Sequence, residues 1–181
     1  MTLRRAKGVP SLRSEGLVHV ITRALRAASR VCKGTFRVTD YSVQADHVHL
    51  IVEADDAALS RGMRSLAIRI ALGTNARLGR THGRVWAGRY HARELTTPAE
   101  VRNALVYVLA NHLKHGVFDV GLVDPWSSGR WFQGWMQVLE RPPDPSPVEP
   151  AQTWLLDWGW HRGRNYIHIG EVPRELRETP R

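Results

Sequence analysis

The spacing of hydrophobic side chains changes several times along the chain, and each change marks a predicted element. The apolar residues from Leu17 to Ala28 recur at helical spacing, which predicts a helix from Ser14 to about Val31. A second apolar stripe, from Leu59 to Ile70, predicts a helix from Asp56 to about Leu78. Arginines occupy the polar side of this second helix, so we expect that side to face solvent.

Alternation with a period of two indicates strands between and around these helices. From Thr35 to Val43 the alternation predicts one strand, and a short turn over 44–46 leads into a second strand from His47 to Glu53. We also predict a short strand over Thr2 to Lys7. Val85 to Leu95 is predicted as a further strand or strand pair, interrupted by Gly88.

A third helix has a clear start in Thr97-Pro98-Ala99-Glu100. Threonine can cap the helix, proline suits its first position, and the glutamate three residues after the threonine completes a capping box. We expect the helix to run to about Lys114 or His115 and to end at Gly116. The order of strands and helices therefore predicts an α+β fold with an antiparallel sheet and packed helices.

The last third of the chain differs in composition from the rest. Tryptophans at 126, 131 and 135 are followed by prolines at 142, 143, 145, 147 and 150. We predict a catalytic domain over 1–121 and a C-terminal extension over 122–181, with a stiff proline-rich linker at about 141–150. Most of the tryptophans are expected to pin the extension onto the domain, and base stacking is the alternative.

The net charge of the chain indicates which kind of molecule it binds. Lysine and arginine number 26 against 17 acidic residues, which gives a net charge of +9, and 23 of the 26 are arginine. Arginine binds phosphate with two parallel hydrogen bonds, so a nucleic-acid partner is expected. A genome rich in G and C would explain the ratio of arginine to lysine but not the net charge.

Other compositional features set the expected compartment. No stretch approaches the roughly 20 apolar residues of a membrane span, so no membrane partner is expected. Cys32 is the only cysteine, which rules out an internal disulfide and suits a reducing cytoplasm. We expect a cytoplasmic, nucleoid-associated protein, and both a homodimer and a monomer are compatible with the sequence.

Two histidines on the second predicted strand form the first candidate site. Alternation places His47, His49 and Ile51 on one face, and Val48 and Leu50 on the other. Imidazoles two residues apart are about 7 Å apart along a strand and can converge on one divalent cation. A pair of solvated histidines is the simpler alternative. However, the apolar opposite face indicates a central strand, where two polar rings need a role.

A tyrosine on the third predicted helix forms the second candidate. Val101, Leu105 and Val108 share the apolar face of this helix, whereas Tyr107 points about 120° away from it. Asn111 lies one turn after Tyr107 on the same polar stripe, so their side chains are neighbours. A tyrosine at the edge of the core is the simpler alternative. A tyrosine, a divalent metal and positive charge together suit phosphodiester cleavage.

These residues carry a resemblance to a known family. Asp46-His47-Val48-His49-Leu50-Ile51-Val52 resembles the His-hydrophobic-His motif of the single-tyrosine HUH transposases. Val85-Trp86-Ala87-Gly88-Arg89-Tyr90 is similar to their Trp-x-x-Arg-Tyr strand, and Tyr107-Val108-Leu109-Ala110-Asn111 is similar to their tyrosine helix motif. The order and spacing agree over roughly 2–121. The closest resemblance is to the REP-associated tyrosine transposases.

The resemblance implies a ferredoxin-like antiparallel sheet and a specific chemistry. Tyr107 would be the nucleophile that attacks single-stranded or hairpin DNA, and His47, His49 and Asn111 would hold Mg²⁺ or Mn²⁺. Arg89 and Lys114 would contact phosphate. The chain departs from the family where His112 follows Asn111, since relatives often have proline there.

Two other functions remain open at this point. One is a domesticated relative that binds or processes repetitive hairpin DNA without moving its own element. The other is a basic DNA-binding module without catalysis, in which the histidines hold a structural metal. The lack of thiolates near the histidines weighs against that last possibility.

Overall fold

Three antiparallel strands form the sheet on which the other elements pack. A computed structural model describes residues 1–31, 34–114, 123–163 and 166–173. Its elements are β1 (Thr2–Arg4), α1 (Glu15–Val31), β2 (Phe36–Val43), β3 (His47–Ala54), α2 (Asp56–Arg77), α3 (Pro98–Leu109), α4 (Asn111–Lys114) and α5 (Trp154–Asp157). The strand order is β1-β3-β2, so β3 is central. The predicted α+β class and antiparallel sheet are confirmed.

The alternation of side chains along β3 separates two apolar clusters. Val48 and Leu50 are buried with α1 and α2 on one face of the sheet. Ile51 points to the other face, where it packs with α3 and with residues of the C-terminal extension. The face that carries His47 and His49 is therefore covered by α3 and the extension. Each fully buried aliphatic side chain in the two clusters stabilises the fold by about 1.5–3 kcal/mol.

A bulge in β2 keeps its apolar residues on one face. The register of β2 against β3 shifts between Val38 and Asp40. Val38 and Tyr41 therefore both pack with α1 and α2, although they are three positions apart, an odd spacing that would otherwise put them on opposite faces. Beyond the bulge, Asp40 pairs with Ile51 and therefore shares its face. This local irregularity places the buried carboxyl of Asp40 on the α3 side of the sheet.

The segment predicted as a strand over Val85 to Leu95 requires a correction. It forms isolated bridges, Arg5 with Trp86 and Thr2 with His91, in place of a continuous strand. The indole of Trp86 donates to the carbonyl oxygen of Ala67 at 2.9 Å, which ties this end of the segment to α2. Gly88, between the two bridges, lies in a bend that interrupts the ladder. The segment still runs along the outer edge of β1, and the predicted strand over Thr2 to Lys7 shortens to Thr2–Arg4.

The third helix begins as predicted but does not run unbroken to Lys114. The Thr97 side chain accepts a hydrogen bond from the backbone N–H of Glu100, and the Glu100 carboxylate accepts one from the backbone N–H of Thr97. These two bonds confirm the capping box. The helix ends at Leu109 and a short helix resumes at Asn111. Asparagine is a favoured residue at helix starts and a weak one in helix interiors, which suits a break here. The predicted end at Gly116 lies outside the described residues.

The C-terminal extension is held to the rest of the chain by ion pairs and by hydrogen bonds to the sheet. Arg13 donates two hydrogen bonds to Asp124, at 2.8 and 2.9 Å, and Asp124 is fully buried. Glu53 accepts hydrogen bonds from Arg37 and from the backbone N–H of Thr153. The proline-rich segment also contacts the sheet, since the N–H of residue 149 donates to the carbonyl oxygen of residue 38. The division into two domains stays a prediction.

The tryptophans of the extension divide between burial and exposure. Trp135 and Trp160 are buried, whereas Trp154 and Trp158 are about half exposed. Part of the set therefore pins the extension to the domain, as expected. In the described part of the chain, no helix combines the length and the apolar character that crossing a bilayer requires.

We predict that Asp40→Asn raises the free energy of unfolding more at pH 8 than at pH 5, by about 2 kcal/mol. Burial raises the pKa of Asp40 from 3.8 to about 7, although hydrogen bonds from Ser128 and Thr39 act in the opposite direction. Between those values the native carboxyl binds more protons than the unfolded one, so native stability falls as pH rises through this window and then levels off. Asparagine removes the charge and keeps an acceptor for Ser128.

Chemical denaturation of both proteins at pH 5 and pH 8 measures this effect. Asp56→Asn removes an exposed carboxylate from the first turn of α2 and serves as the control. A stabilisation by Asp40→Asn that is equal at the two pH values would contradict the account of the buried carboxyl.

Candidate active site

The two histidines of β3 point their imidazole rings at a common position. The Nε2 atoms of His47 and His49 lie 2.7 Å apart, and the ring centroids are 4.3 Å apart at a steep angle. For comparison, two ligand atoms at about 2.1 Å and right angles on one cation lie about 3.0 Å apart. The pair therefore needs only a small opening to bind one metal ion with both Nε2 atoms.

The opposite nitrogen of each ring has a polar partner that fixes its orientation. Nδ1 of His47 lies 2.6 Å from Oδ1 of Asp46, and Nδ1 of His49 lies 3.0 Å from Oγ1 of Thr2. Hydrogen bonds of this kind set the tautomer of a histidine and direct its other ring nitrogen toward a ligand. Metal-ligating histidines in proteins have this same arrangement of outer partners.

The electrostatic surroundings keep one of the two rings neutral. Burial lowers the pKa of His49 to about 3, and the nearby charges of His47 and Arg4 act in the same direction. A neutral imidazole has the lone pair that a cation binds. Partial burial would raise the pKa of Asp46, but its hydrogen bond to His47 and the charges of His47 and Arg4 outweigh this and lower it. Asp46 is therefore an anionic partner for His47.

Tyr107 is the aromatic residue that α3 places against the histidines. Its ring centroid lies 5.0 Å from that of His49, with the two rings close to perpendicular. Val101, Leu105 and Val108 are buried on the apolar face of α3, as predicted, and Tyr107 lies partly buried at the margin of that face. The structure thus brings Tyr107 next to His47 and His49, although the tyrosine follows them in the sequence by 60 and 58 residues.

Asn111 lies at the start of α4, just beyond the break that follows α3. Its side chain is buried, and neither amide atom has a hydrogen-bond partner among the described residues. Leaving a buried polar group without a partner costs about 1–3 kcal/mol, and a bound ion or water is one way to satisfy such a group. An amide oxygen is a good ligand for a hard divalent cation, and this unpaired side chain fits the role of third ligand.

The donor set limits the kind of metal. The described residues include no cluster of three or more His, Cys, Asp or Glu side chains able to hold a metal ion. A structural zinc site usually has four protein ligands, often thiolates. Two imidazoles with an amide oxygen would leave coordination positions open for water and phosphate oxygens, which suits Mg²⁺ or Mn²⁺.

The structure also locates the residues expected to contact phosphate. Arg89 is exposed to solvent, in the segment that borders β1. Lys114 ends α4, but its side chain lies outside the described part of the structure. Arg4 was missed from the sequence: it pairs with His47 across β1 and β3, so its exposed guanidinium lies on the same face as the histidines. This makes it a further candidate for a phosphate contact.

Thr2 was also missed from the sequence. It lies 47 residues before His49, and only the register of β1 against β3 places the two residues opposite each other. Asp46 gave a weak signal, as an acidic residue directly before the histidine motif. Neither role follows from the spacing of the histidines alone.

Comparisons with protein-family models, with curated proteins and with solved structures give no match to this chain. Any function proposed for this chain therefore rests on the residues of the site and on the resemblance of its motifs to a known family.

Proposed function

We propose that this protein is a metal-dependent transposase of the single-tyrosine HUH kind, similar to the REP-associated tyrosine transposases. It would cut and rejoin single-stranded DNA through a covalent bond to Tyr107. The observation that carries the proposal is the convergence of the His47 and His49 Nε2 atoms beside the ring of Tyr107. A nucleophile, two metal ligands and a basic chain are the components of phosphodiester cleavage.

The order of the elements also supports the proposal. The segment over 85–95 is bridged to the outer edge of β1, so the order across the sheet is this segment, β1, β3 and β2. With the segment in the position of a last strand, the elements follow the β-α-β-β-α-β order of ferredoxin-like domains along the chain. The histidines then lie on a central strand, as the family resemblance implies.

In the proposed reaction, the hydroxyl oxygen of Tyr107 attacks the phosphorus of a DNA phosphodiester. The Tyr107 hydroxyl gives up its proton as the Oη–P bond forms, the bond from phosphorus to the 3′ oxygen breaks, and that oxygen takes up a proton to become a 3′-OH. The downstream strand stays attached through its 5′ phosphate. A later 3′-OH can reverse the step, because the covalent bond retains the energy of the phosphodiester.

The other residues bind and orient the reacting groups. His47, His49 and Asn111 would hold a divalent cation, whose chemistry is Lewis-acid polarisation of a phosphate oxygen. Asp46 and Thr2 hold the two imidazoles in place. Arg4 and Arg89 offer exposed guanidinium groups to the strand. The net charge of +9 supplies the attraction that does not depend on sequence.

We predict that Tyr107→Phe removes a covalent protein–DNA adduct entirely and leaves the fold intact, because only one oxygen atom is lost. One single-stranded oligonucleotide is labelled at either end in separate reactions with Mn²⁺. The 3′ label should migrate with the protein on a denaturing gel, and the 5′ label should appear on a free fragment that a polymerase can extend.

Tyr90→Phe is the matched control and should still form the adduct. Tyr41 is an unsuitable nucleophile, since its side chain is fully buried and burial raises its pKa. An adduct that persists in Tyr107→Phe would move the nucleophile to another residue, and a 5′ label on the protein would overturn the proposed polarity.

We predict that His47→Ala or His49→Ala slows Mn²⁺-dependent cleavage by roughly a hundredfold or more and leaves much of the DNA binding. Asn111→Ala should have a smaller effect, because water can replace one amide ligand. His82→Ala, in an exposed loop, is the control. Single-turnover rates and filter binding measure the two properties. Normal cleavage by either variant of the motif would show that these histidines do not hold the metal.

We predict that Asp46→Asn weakens Mn²⁺ binding by about 10–100-fold, because it loosens the orientation of His47. Titration followed by the electron paramagnetic resonance signal of free Mn²⁺ measures this affinity without any cleavage. Asp56→Asn removes the same charge from the surface of α2 and should leave the affinity unchanged. Equal weakening by both variants would point to the net charge of the chain rather than to an oriented ligand.

A further inference from the structure

A cleft between β2 and the C-terminal extension lies on the same face of the sheet as the histidines. Its volume is about 660 Å³, within the range of about 300–1,000 Å³ typical of small-molecule sites. Asp40 and Thr39 of β2 line it, and none of His47, His49 and Tyr107 does. The cleft is therefore a separate feature from the candidate active site.

Aromatic side chains of the extension form one wall of the cleft. The ring of His161 lies 4.8 Å from that of Trp160 and 5.1 Å from that of Tyr166, centroid to centroid. Gly134 lets Trp160 approach closely, since a Cβ at this position would lie 2.6 Å from the indole. Tyr166 is about half exposed, so part of this wall is open to a ligand. Such a wall suits the face of a flat, unsaturated ring.

Asp40 contributes a carboxyl group to the cleft. One of its oxygen atoms accepts a hydrogen bond from Oγ of Ser128 at 3.1 Å, and its side chain retains about 6% exposure. No cationic side chain neutralises it by an ion pair among the described residues. An ionised carboxyl offers acceptor positions on both oxygens, so a ligand with paired N–H donors would suit it.

The charge of the lining argues against a phosphate group inside the cleft. Three further carboxylates line it, from Asp144, Glu149 and Asp157, against the single guanidinium of Arg141. In a chain with a net charge of +9 this is an acidic pocket. It suits an uncharged ring with N–H donors, whose phosphates remain outside in water. Among the bases of DNA, guanine has two adjacent donors, N1–H and the exocyclic amino group, on one edge.

We propose that this cleft binds one unstacked guanine base of single-stranded DNA, with the ring against His161 and Tyr166 and its donor edge on the Asp40 carboxylate. The identification of DNA as the source of the base rests on the proposed function. The chemistry of the cleft, an aromatic wall and a buried pair of acceptors, does not depend on cleavage. The cleft would thus select a base at a fixed place on the strand.

Binding of guanine should depend on pH through Asp40. Burial raises the pKa of Asp40 to about 7, and only its ionised form accepts both N–H groups. Affinity should therefore rise roughly tenfold from pH 6 to pH 8 and level off above that. The other titratable or charged groups that line the cleft are Arg141, Asp144, Glu149, Asp157, His161 and Tyr166. His161 is a second ionisable side chain in the cleft, so His161→Phe, which keeps an aromatic ring, is the control and should keep the rise.

Calorimetric titration of the full chain with guanosine, adenosine, cytidine and uridine monophosphates, in EDTA, tests the cleft without metal or cleavage. We expect guanosine monophosphate to bind at least tenfold more tightly than the others at pH 8. Asp40→Asn, which should fold at least as stably, should lose that preference and the dependence on pH. Asp56→Asn should retain both. Equal binding of all four nucleotides, binding of none, or a preference that survives Asp40→Asn would overturn the proposal.

A second titration identifies the source of the base. An oligothymidine with one central guanine should bind more tightly than oligothymidine alone, and Asp40→Asn should reduce that difference. If guanosine monophosphate binds selectively and the guanine in the oligonucleotide adds nothing, the cleft serves a free nucleotide and the assignment to DNA is wrong. Loss of cleavage activity in other assays would leave both titrations unaffected, so failure of the proposed function is recognised separately.

Discussion

The antiparallel pairing of β3 with β1 is the interaction on which the candidate site depends. This register places Thr2 opposite His49 and Arg4 opposite His47, all with side chains on the face that α3 covers. A shift of one residue would turn both imidazoles into the apolar cluster under α1 and α2. The apolar side chains of Val48 and Leu50 oppose such a shift, because they would leave the apolar cluster that they form with α1 and α2. Apolar packing on one face of the sheet therefore fixes which side chains lie in the candidate site on the other face.

Burial of polar groups is the cost of this arrangement, and it falls where the proposed chemistry takes place. His49 and Asn111 are buried, and Asn111 lacks hydrogen-bond partners in the part of the chain that the structure describes. Asp40 is buried on the same face, with a raised pKa caused by loss of solvent. Groups of this kind lower stability unless a ligand satisfies them. In the proposed function a cation would satisfy His49 and Asn111, and in the proposed cleft a base edge would satisfy Asp40.

Local patterns in the sequence predicted the parts of the structure that depend on neighbours in the chain. The capping box at Thr97, the alternation from His47 and the apolar face of α3 all follow from local periodicity, and the structure has each of them. The role of Thr2 could not be predicted, because strand register is a long-range property. The break before Asn111 was missed, and the strand predicted over Val85 to Leu95 forms only isolated bridges on either side of the predicted interruption at Gly88, because packing overrides helix and strand propensity there. The cleft depends on how the extension folds back, and no motif records that.

The central claim is that the histidine pair and Tyr107 act on one phosphate with a metal ion. The most direct measurement is cleavage of an oligonucleotide with sulfur in place of one non-bridging oxygen at the scissile phosphate. Sulfur binds Mg²⁺ poorly and softer metals better. The account predicts that one of the two stereoisomers is cut slowly with Mg²⁺ and that Mn²⁺ or Cd²⁺ restores its rate of adduct formation at Tyr107. Equal rates for both stereoisomers with every metal would contradict a metal–phosphate contact at this site.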